Sequence, residues 1–324
     1  MFLLVDLDSL HRSTLDDALS RIIATEVALE TYAQIIDGLP LAHVAQNRYQ
    51  HRLYDEHPVR AHVNLCAGAE ETARSMRDTF DLAMLSFDSE ILQSYQDSIT
   101  GSRSFKIRLL ELVAVALHQL AVHLFHRGDR IHDRHHSPES ENSVSSVTSW
   151  EPSPKPYFRY EVHPTLFAHP AFVAHEHYPN GIADMVGYWA EDRILGGVLL
   201  LDRNNNESAD GMELPNVYFQ SSRPARTHYI YQLTDDQQDS LLDYLLSTPS
   251  DKDATRCPLP LCYTEDNYVT VDPEFAIVDA KVYRDAWERP PPKLARQVLG
   301  GRDVDDRRGA GDEELERLRR LGFL

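Results

Sequence analysis

The chain has 324 residues, of which 42% are apolar and 26% charged, so it carries enough hydrophobic material for a globular core. Its 32 basic and 51 acidic residues give a formal net charge of -19, which argues against DNA binding because a duplex-binding protein needs a basic face. Three sparse cysteines indicate a reducing compartment rather than a disulfide framework. The short apolar start has no basic residue before it, so it does not read as a signal peptide. We therefore expect a cytoplasmic protein.

The first part of the chain, residues 1–132, is predicted to be mainly helical. Residues 1–5, MFLLV, read as a short strand. A helix is expected from about Leu15, with Ser13 or Thr14 as its N-cap and Gly38 as its end. Further helices are predicted over 41–54, 69–86, 89–99 and 105–126. The last is apolar on nearly all sides, which predicts a buried helix, and its apolar run is too short to span a bilayer.

Composition changes after His132. Residues 133–156 are rich in Ser, Pro, Glu and His and cannot bury enough apolar surface to offset ordering, so we predict a flexible linker or loop. The region 157–292 is predicted to be α/β, with a capping box at Thr234–Gln237 that begins a helix. Its strands are predicted over 157–163, 185–189, 198–202, 217–220 and 228–233. A charged tail, 293–324, contains a short helix. The fold class is therefore α+β, with a helical N-terminal half and a strand-rich mixed C-terminal half.

Two acidic motifs have a catalytic and a structural interpretation. Asp6-Leu7-Asp8 has the spacing of the two carboxylates of haloacid-dehalogenase-type phosphatases, but Ser9-Leu10 replaces the usual Gly-Thr. Residues 235–239, DDQQD, match the magnesium-binding DDxxD pattern of terpene synthases, yet they open a helix after a strand-rich segment. For both motifs we favour a structural role, in which the acidic residues lie at the start of a helix and cap it, over a catalytic role.

The histidines form two clusters along the chain without good metal-ligand spacing. His118 and His123 are five residues apart, which is poor for one helical face. His175-x-His177 is similar to the cupin metal motif but lacks the glutamate that follows it there. We therefore expect no metal site, and no motif indicates a cofactor.

The most distinctive segment covers residues 178–203. It combines a Pro-Asn-Gly turn, two large aromatic residues, three carboxylates and a Gly-Gly step. Aromatic residues beside carboxylates suit a pocket for a cationic or aromatic ligand. The alternative is a β-hairpin with Trp189 in the core and charges on its turn.

Three stretches resemble a group of fungal proteins of secondary-metabolism type. They are VDLDSLHRSTLDDAL (5–19), FKIRLLELVAVALHQLAVHLF (105–125) and YPNGIADMVGYWAEDRILGGVLLLDR (178–203). Within that group the chain resembles the arginine-containing cyclodipeptide synthases, which join an arginyl residue carried by tRNA to a second aminoacyl residue. No catalytic motif of that family can be matched here residue by residue.

The resemblance implies a cytosolic transferase with a small-molecule or aminoacyl substrate and aminoacyl-tRNA as partner. A local basic patch could contact the tRNA, although the acidic composition counts against it: Arg103, Lys106, Arg108, Arg127, Arg130 and Arg134. Under this hypothesis the site lies near residues 178–203, and Asp184, Glu191 and His177 would be its catalytic residues. Glu191 and Asp192 would pair with a guanidinium. The substrate-binding residues would be Tyr188, Trp189, Asp192, Arg193, Asp202 and Arg203.

Two other functions remain open from the sequence. The chain could be a non-enzymatic interaction protein, which should present an apolar or single-sign surface patch rather than a deep pocket. It could also be a metal-dependent or phosphatase-like hydrolase, which would depend on the histidines or on Asp6 and Asp8.

Overall fold

Helices form most of the N-terminal region. The computed structural model describes residues 3–49, 57–128, 130–136, 163–203, 216–223, 229–247, 256–285 and 287–289, without the side chains of 46–49 and 134–136. The helices here are α1 (Ser9–Ile23), α2 (Glu26–Asp37), α3 (Ala42–Tyr49), α4 (Ala69–Asp78), α5 (Ser89–Gln96), α6 (Arg103–His126) and α7 (Ile131–His136). Short 3-10 turns lie at Leu4–Asp6, Pro58–Arg60 and Leu82–Met84.

The chain enters its first helix earlier than predicted. The carboxylate of Asp8 accepts hydrogen bonds from the backbone N–H groups of Leu10 and His11 and caps α1, which confirms helix entry as the role of this residue. Ser13 and Thr14 lie inside the helix, so their predicted role as N-cap is wrong. The predicted strand at 1–5 is also wrong where it is described, because residues 4–6 form a 3-10 turn. A single Asp side chain can accept hydrogen bonds from the unpaired N–H groups of the first helical turn, so a helix can begin before its apolar pattern does.

The long helix α6 is buried, as its composition predicts. Its apolar 18-residue window passes the length and hydropathy test for a membrane span, yet 78% of that window is buried inside the protein. Helix α8 (Ile182–Leu195) packs along α6. Gly187 permits this approach, because a Cβ atom there would lie 2.5 Å from the imidazole ring of His118.

Helix α8 overturns the predicted strand over 185–189 and the alternative hairpin. It begins after Asn180, whose backbone N–H donates to the Asp184 carboxylate, and it ends at Gly196 in the left-handed conformation. Nearly all its residues are buried, so its sequence lacks the polar face that repeats with the helical period in a surface helix. The expected burial of Trp189 is confirmed.

A five-stranded antiparallel sheet follows, in the order β4-β3-β2-β1-β5. Its strands are β1 (Val198–Asp202), β2 (Val217–Gln220), β3 (Ile230–Gln232), β4 (Thr270–Val271) and β5 (Val282–Tyr283). Strands β1 and β2 have the predicted bounds, 198–202 and 217–220, and β3 lies inside the predicted strand 228–233. Helix α9 (Asp235–Leu246) begins with the predicted capping box, in which Thr234 and Gln237 bond each other's backbone. The structural interpretation of the DDQQD motif is thereby supported.

The α+β class is confirmed, with helices mostly in the N-terminal half and the sheet in the C-terminal part. The main apolar core contains residues of both regions, including Leu117 of α6, Trp189 of α8 and Phe219 of β2. Residues Met1–Glu288 form one compact unit. The predicted linker from residue 137 onward, the strand over 157–162 and the tail helix lie outside the described residues.

Candidate functional site

The predicted catalytic carboxylates lie in a buried cluster between α6, α8 and the sheet. We call His118, Asp184, Glu191 and Arg284 the ion-pair cluster. Both carboxylate oxygens of Glu191 accept hydrogen bonds from Nη1 of Arg284, at 2.9 and 2.8 Å. Oε1 of Glu191 also accepts from the backbone N–H of Leu199 at 2.7 Å, at the start of β1. Burial raises the pKa of Glu191, and the Arg284 guanidinium opposes that rise.

The second half of the ion-pair cluster joins α6 to α8. Nε2 of His118 lies 2.9 Å from Oδ1 of Asp184. Asp184 also accepts from the backbone and side-chain N–H groups of Asn180, at 2.8 and 3.0 Å. Although burial raises the pKa of Asp184, the hydrogen bonds from His118 and Asn180 lower it overall. Both carboxylates are therefore engaged by partners within the chain.

The other predicted site residues are distributed around α8. His177 is exposed in the 3-10 turn His175–His177, whereas the residues of the ion-pair cluster are buried. Tyr188 is fully buried, which raises its pKa well above the usual value. The carboxylate of Asp192 accepts from the backbone N–H and hydroxyl of Ser222 at 3.0 and 2.6 Å. The Arg193 guanidinium lies over the Trp189 ring, 5.7 Å from its centroid.

At the end of β1, Arg203 connects the sheet to α6. Its guanidinium donates to Glu111 at 2.5 Å and to the backbone oxygens of Tyr283 and Arg284. Asp202, the preceding residue, pairs with Val282 of β5 in the strand register. The structure thus brings Asp184, Tyr188 and Glu191 together, but within the core, where they hold α6, α8 and the sheet to one another.

The hairpin alternative placed the charges of this segment on a turn, and this is wrong for Glu191 because it lies in α8 with its side chain fully buried. Arg284 was not predicted as a site residue, and it lies after the last predicted strand. The sequence does carry one signal for a buried charge here, because Arg284 and Glu288 lie four residues apart just after the apolar Val282. Whether these residues also serve a reaction stays a prediction, as does cyclodipeptide synthesis.

A second cluster of ligand-type side chains lies at the end of α2. Asp37, His62, Cys66 and His132, here called the four-donor cluster, each offer one ligand atom, and these atoms all lie within 4.8 Å of one another. Asp37 is the last residue of α2, and His132 is the second residue of α7. His62 and Cys66 come from the connection between the Pro58–Arg60 turn and α4.

The contacts of the four-donor cluster are short. Nε2 of His62 lies 3.0 Å from Oδ2 of Asp37, and the backbone N–H of Cys66 donates to the same oxygen at 2.9 Å. Sγ of Cys66 lies 3.4 Å from Nδ1 of His132. The rings of His62 and His132 meet edge to face, with centroids 5.0 Å apart. Asp37, His62 and His132 are buried, and Cys66 is partly exposed.

His62 has an acceptor on each side of its ring. Its Nδ1 lies 3.0 Å from the carbonyl oxygen of Pro40, so this nitrogen carries the proton of a neutral ring. Nε2 then presents a lone pair to the Asp37 carboxylate, which is also an acceptor. Moreover, Oδ1 of Asp37 is buried with no hydrogen-bond partner among the described residues. Two acceptors at this distance need a proton on one of them or a cation between them.

The charges in the four-donor cluster influence one another. Burial lowers the pKa of His62, but its hydrogen bonds to the Asp37 carboxylate and the Pro40 carbonyl raise it overall. Burial and the Asp37 carboxylate raise the pKa of Cys66 to about 11. The segment just before α7 can approach the end of α2 closely because Gly38 has no side chain. A Cβ atom at Gly38 would lie 2.7 Å from Cβ of Arg130.

The sequence analysis did not identify the four-donor cluster, because it searched for ligands at short spacings. Cys66 and His132 are 66 positions apart, and Asp37 and His62 are 25 apart. The only local signal is the pair His62-x-x-x-Cys66 beside a helix end.

No protein-family model matches this chain, and neither does any curated protein or solved structure. The resemblance to fungal secondary-metabolism proteins therefore stays an expectation from the sequence.

Proposed function

We propose that this protein binds one divalent transition-metal ion, with zinc the best fit, in the four-donor cluster. One observation carries the proposal: a carboxylate, two imidazoles and a thiol from three separate segments place their ligand atoms within 4.8 Å of one another in a mostly buried site. On this point the proposal departs from the expectation drawn from histidine spacing.

The donor types favour zinc over calcium or magnesium. Thiolate and imidazole are ligands that zinc prefers, whereas the harder cations take oxygen ligands. In a tetrahedral site, zinc-ligand bonds of about 2.0–2.3 Å place neighbouring ligand atoms roughly 3.3–3.8 Å apart. The 3.4 Å separation of Cys66 and His132 agrees with this value, and the 3.0 Å separation of His62 and Asp37 is slightly shorter.

The surroundings of the ligands support the same proposal. A histidine that binds a metal usually donates its other ring N–H to a carbonyl or carboxylate, which fixes the orientation of the ring. His62 has this arrangement with Pro40. A cation would also give the unpartnered Oδ1 of Asp37 a counter-charge. A site with four protein ligands is closed, so the ion would be structural and would fasten α7 and the His62–Cys66 segment to α2.

Elemental analysis of the purified full chain tests the proposal. We expect about one zinc ion per chain and a drop in the unfolding temperature when a strong chelator removes it, because metal binding to the folded state adds to its stability. His62→Ala should lose the metal. His43→Ala is the matched control, since His43 lies nearby on α3 with its side chain 64% exposed and is not a donor.

The main alternative is that His62 carries a second proton and forms a buried ion pair with Asp37. In that case the chain would contain no transition metal after growth in zinc-supplemented medium, and added zinc would leave the unfolding temperature unchanged. Either result would overturn the proposed metal site.

A further inference from the structure

We infer that Cys66 is a modification site at which a peroxide oxidant opens the metal centre and releases the ion. The inference rests on the proposed metal binding and names how that site is regulated. It follows from a difference in exposure among the four donors. Asp37, His62 and His132 are at most 7% exposed, whereas Cys66 is partly exposed. Cys66 is therefore the donor residue of the cluster that is most open to an oxidant arriving from solvent.

The chemistry of the bound ligand favours attack at this atom. A cysteine that ligates zinc does so as the thiolate, which is the form that reacts with peroxide. The thiolate sulfur attacks one peroxide oxygen, an S–O bond forms and the O–O bond breaks. The products are a sulfenate at Cys66 and water: the sulfur loses two electrons and the peroxide is reduced. Dithiothreitol, a dithiol, can reverse this first oxidation step by reducing the sulfenate to the thiol, with formation of water and its own disulfide.

Oxidation would weaken the site in two ways. It removes the soft thiolate ligand, which leaves three donors, and it adds an oxygen atom where Sγ lies only 3.4 Å from the His132 ring. The backbone N–H of Cys66 also donates to the Asp37 carboxylate, so a shift of Cys66 disturbs a second ligand. Release of the ion would unfasten α7 from the end of α2.

The test uses the full chain loaded with zinc, hydrogen peroxide as oxidant and a chromogenic zinc indicator. We expect peroxide to release the ion in step with sulfenate formation at Cys66, which dimedone labelling and mass spectrometry locate. The matched control is the double variant Cys257→Ser/Cys262→Ser, because both of those cysteines are exposed and outside the cluster. It should release zinc at the wild-type rate, and dithiothreitol with added zinc should restore the metal in both proteins.

The outcomes separate this inference from the proposed function. If the chain holds no zinc before peroxide is added, metal binding fails and the inference fails with it. If zinc is bound and stays bound while Cys66 is oxidised, only the inference fails. It also fails if release disappears in the double variant, since the exposed cysteines would then be the point of attack.

Discussion

The ion-pair cluster and the four-donor cluster are both buried and both built from His and carboxylate side chains, yet their charges are balanced differently. In the ion-pair cluster Glu191 faces a guanidinium and a backbone N–H, and Asp184 has His118 and Asn180 as partners. In the four-donor cluster one oxygen of Asp37 has no partner among the described residues. The described donors therefore reach every carboxylate oxygen of the ion-pair cluster, although Nδ1 of His118 has no hydrogen-bond partner there, whereas they leave one carboxylate oxygen of the four-donor cluster without a partner.

This difference separates a structural network from a ligand site more clearly than residue type does. Carboxylates, histidine and tyrosine in one segment are typical of an active site, but the same groups can hold helices and strands together when each finds a partner inside the chain. A buried acceptor without a donor is costly, so it indicates a missing donor or cation.

Removal of the charge of Glu191 should have the largest effect. Glu191→Gln removes the nearer and fully buried counter-ion of the Arg284 guanidinium and leaves only the half-buried Asp285 carboxylate, 3.3 Å from Nε. Breaking a buried pair costs about 3–5 kcal/mol of the free energy of unfolding. Urea unfolding monitored by circular dichroism measures this cost. Glu265→Gln, at an exposed position, is the control and should leave the stability unchanged.

The matched change in the four-donor cluster sharpens the comparison. Asp37→Asn should remove the metal, so a chelator that lowers the unfolding temperature of the wild type should leave that of the variant unchanged. A chelator effect of equal size in both proteins would contradict the role of Asp37 as a ligand.

A smaller effect is expected at the contact between α6 and α8. Gly187→Ala places a methyl group 2.5 Å from the His118 ring, and overpacking of this kind costs about 1–3 kcal/mol despite the better helix propensity of alanine. Thermal and urea unfolding measure the loss. In the double variant Gly187→Ala/His118→Ala the clash is absent, so the two costs should not add; strict additivity would contradict the proposed contact.

The smallest effect concerns pH. The folded-state pKa of Asp184 is below the usual 3.8, because hydrogen bonds from His118 and Asn180 outweigh burial. Its stabilising contribution is therefore fully present above that usual value and is lost as the pH falls through the lower folded-state pKa. The stability difference between the wild type and Asp184→Asn should shrink in urea titrations below about pH 4. A difference that stays constant down to pH 2 would contradict this.

Local signals predicted a good part of the fold. The capping box at Thr234, the helix end at Gly38 and the strands β1 and β2 depend on neighbours in sequence, so short patterns are sufficient to find them. Helix α8 was missed because it is buried on nearly every side. Without a polar face, a short apolar run does not distinguish a strand from a helix.

The sequence by itself determined the α+β class, the buried character of α6, the capping box at Thr234 and the helix end at Gly38, because those depend on composition and on residues a few positions apart. Only the tertiary structure decided which charges meet. Arg284 reaches Glu191 across 93 positions, and His132 reaches Cys66 across 66. Such pairs are fixed by the packing of helices and strands, since a buried charge is tolerated only where the fold brings it a partner.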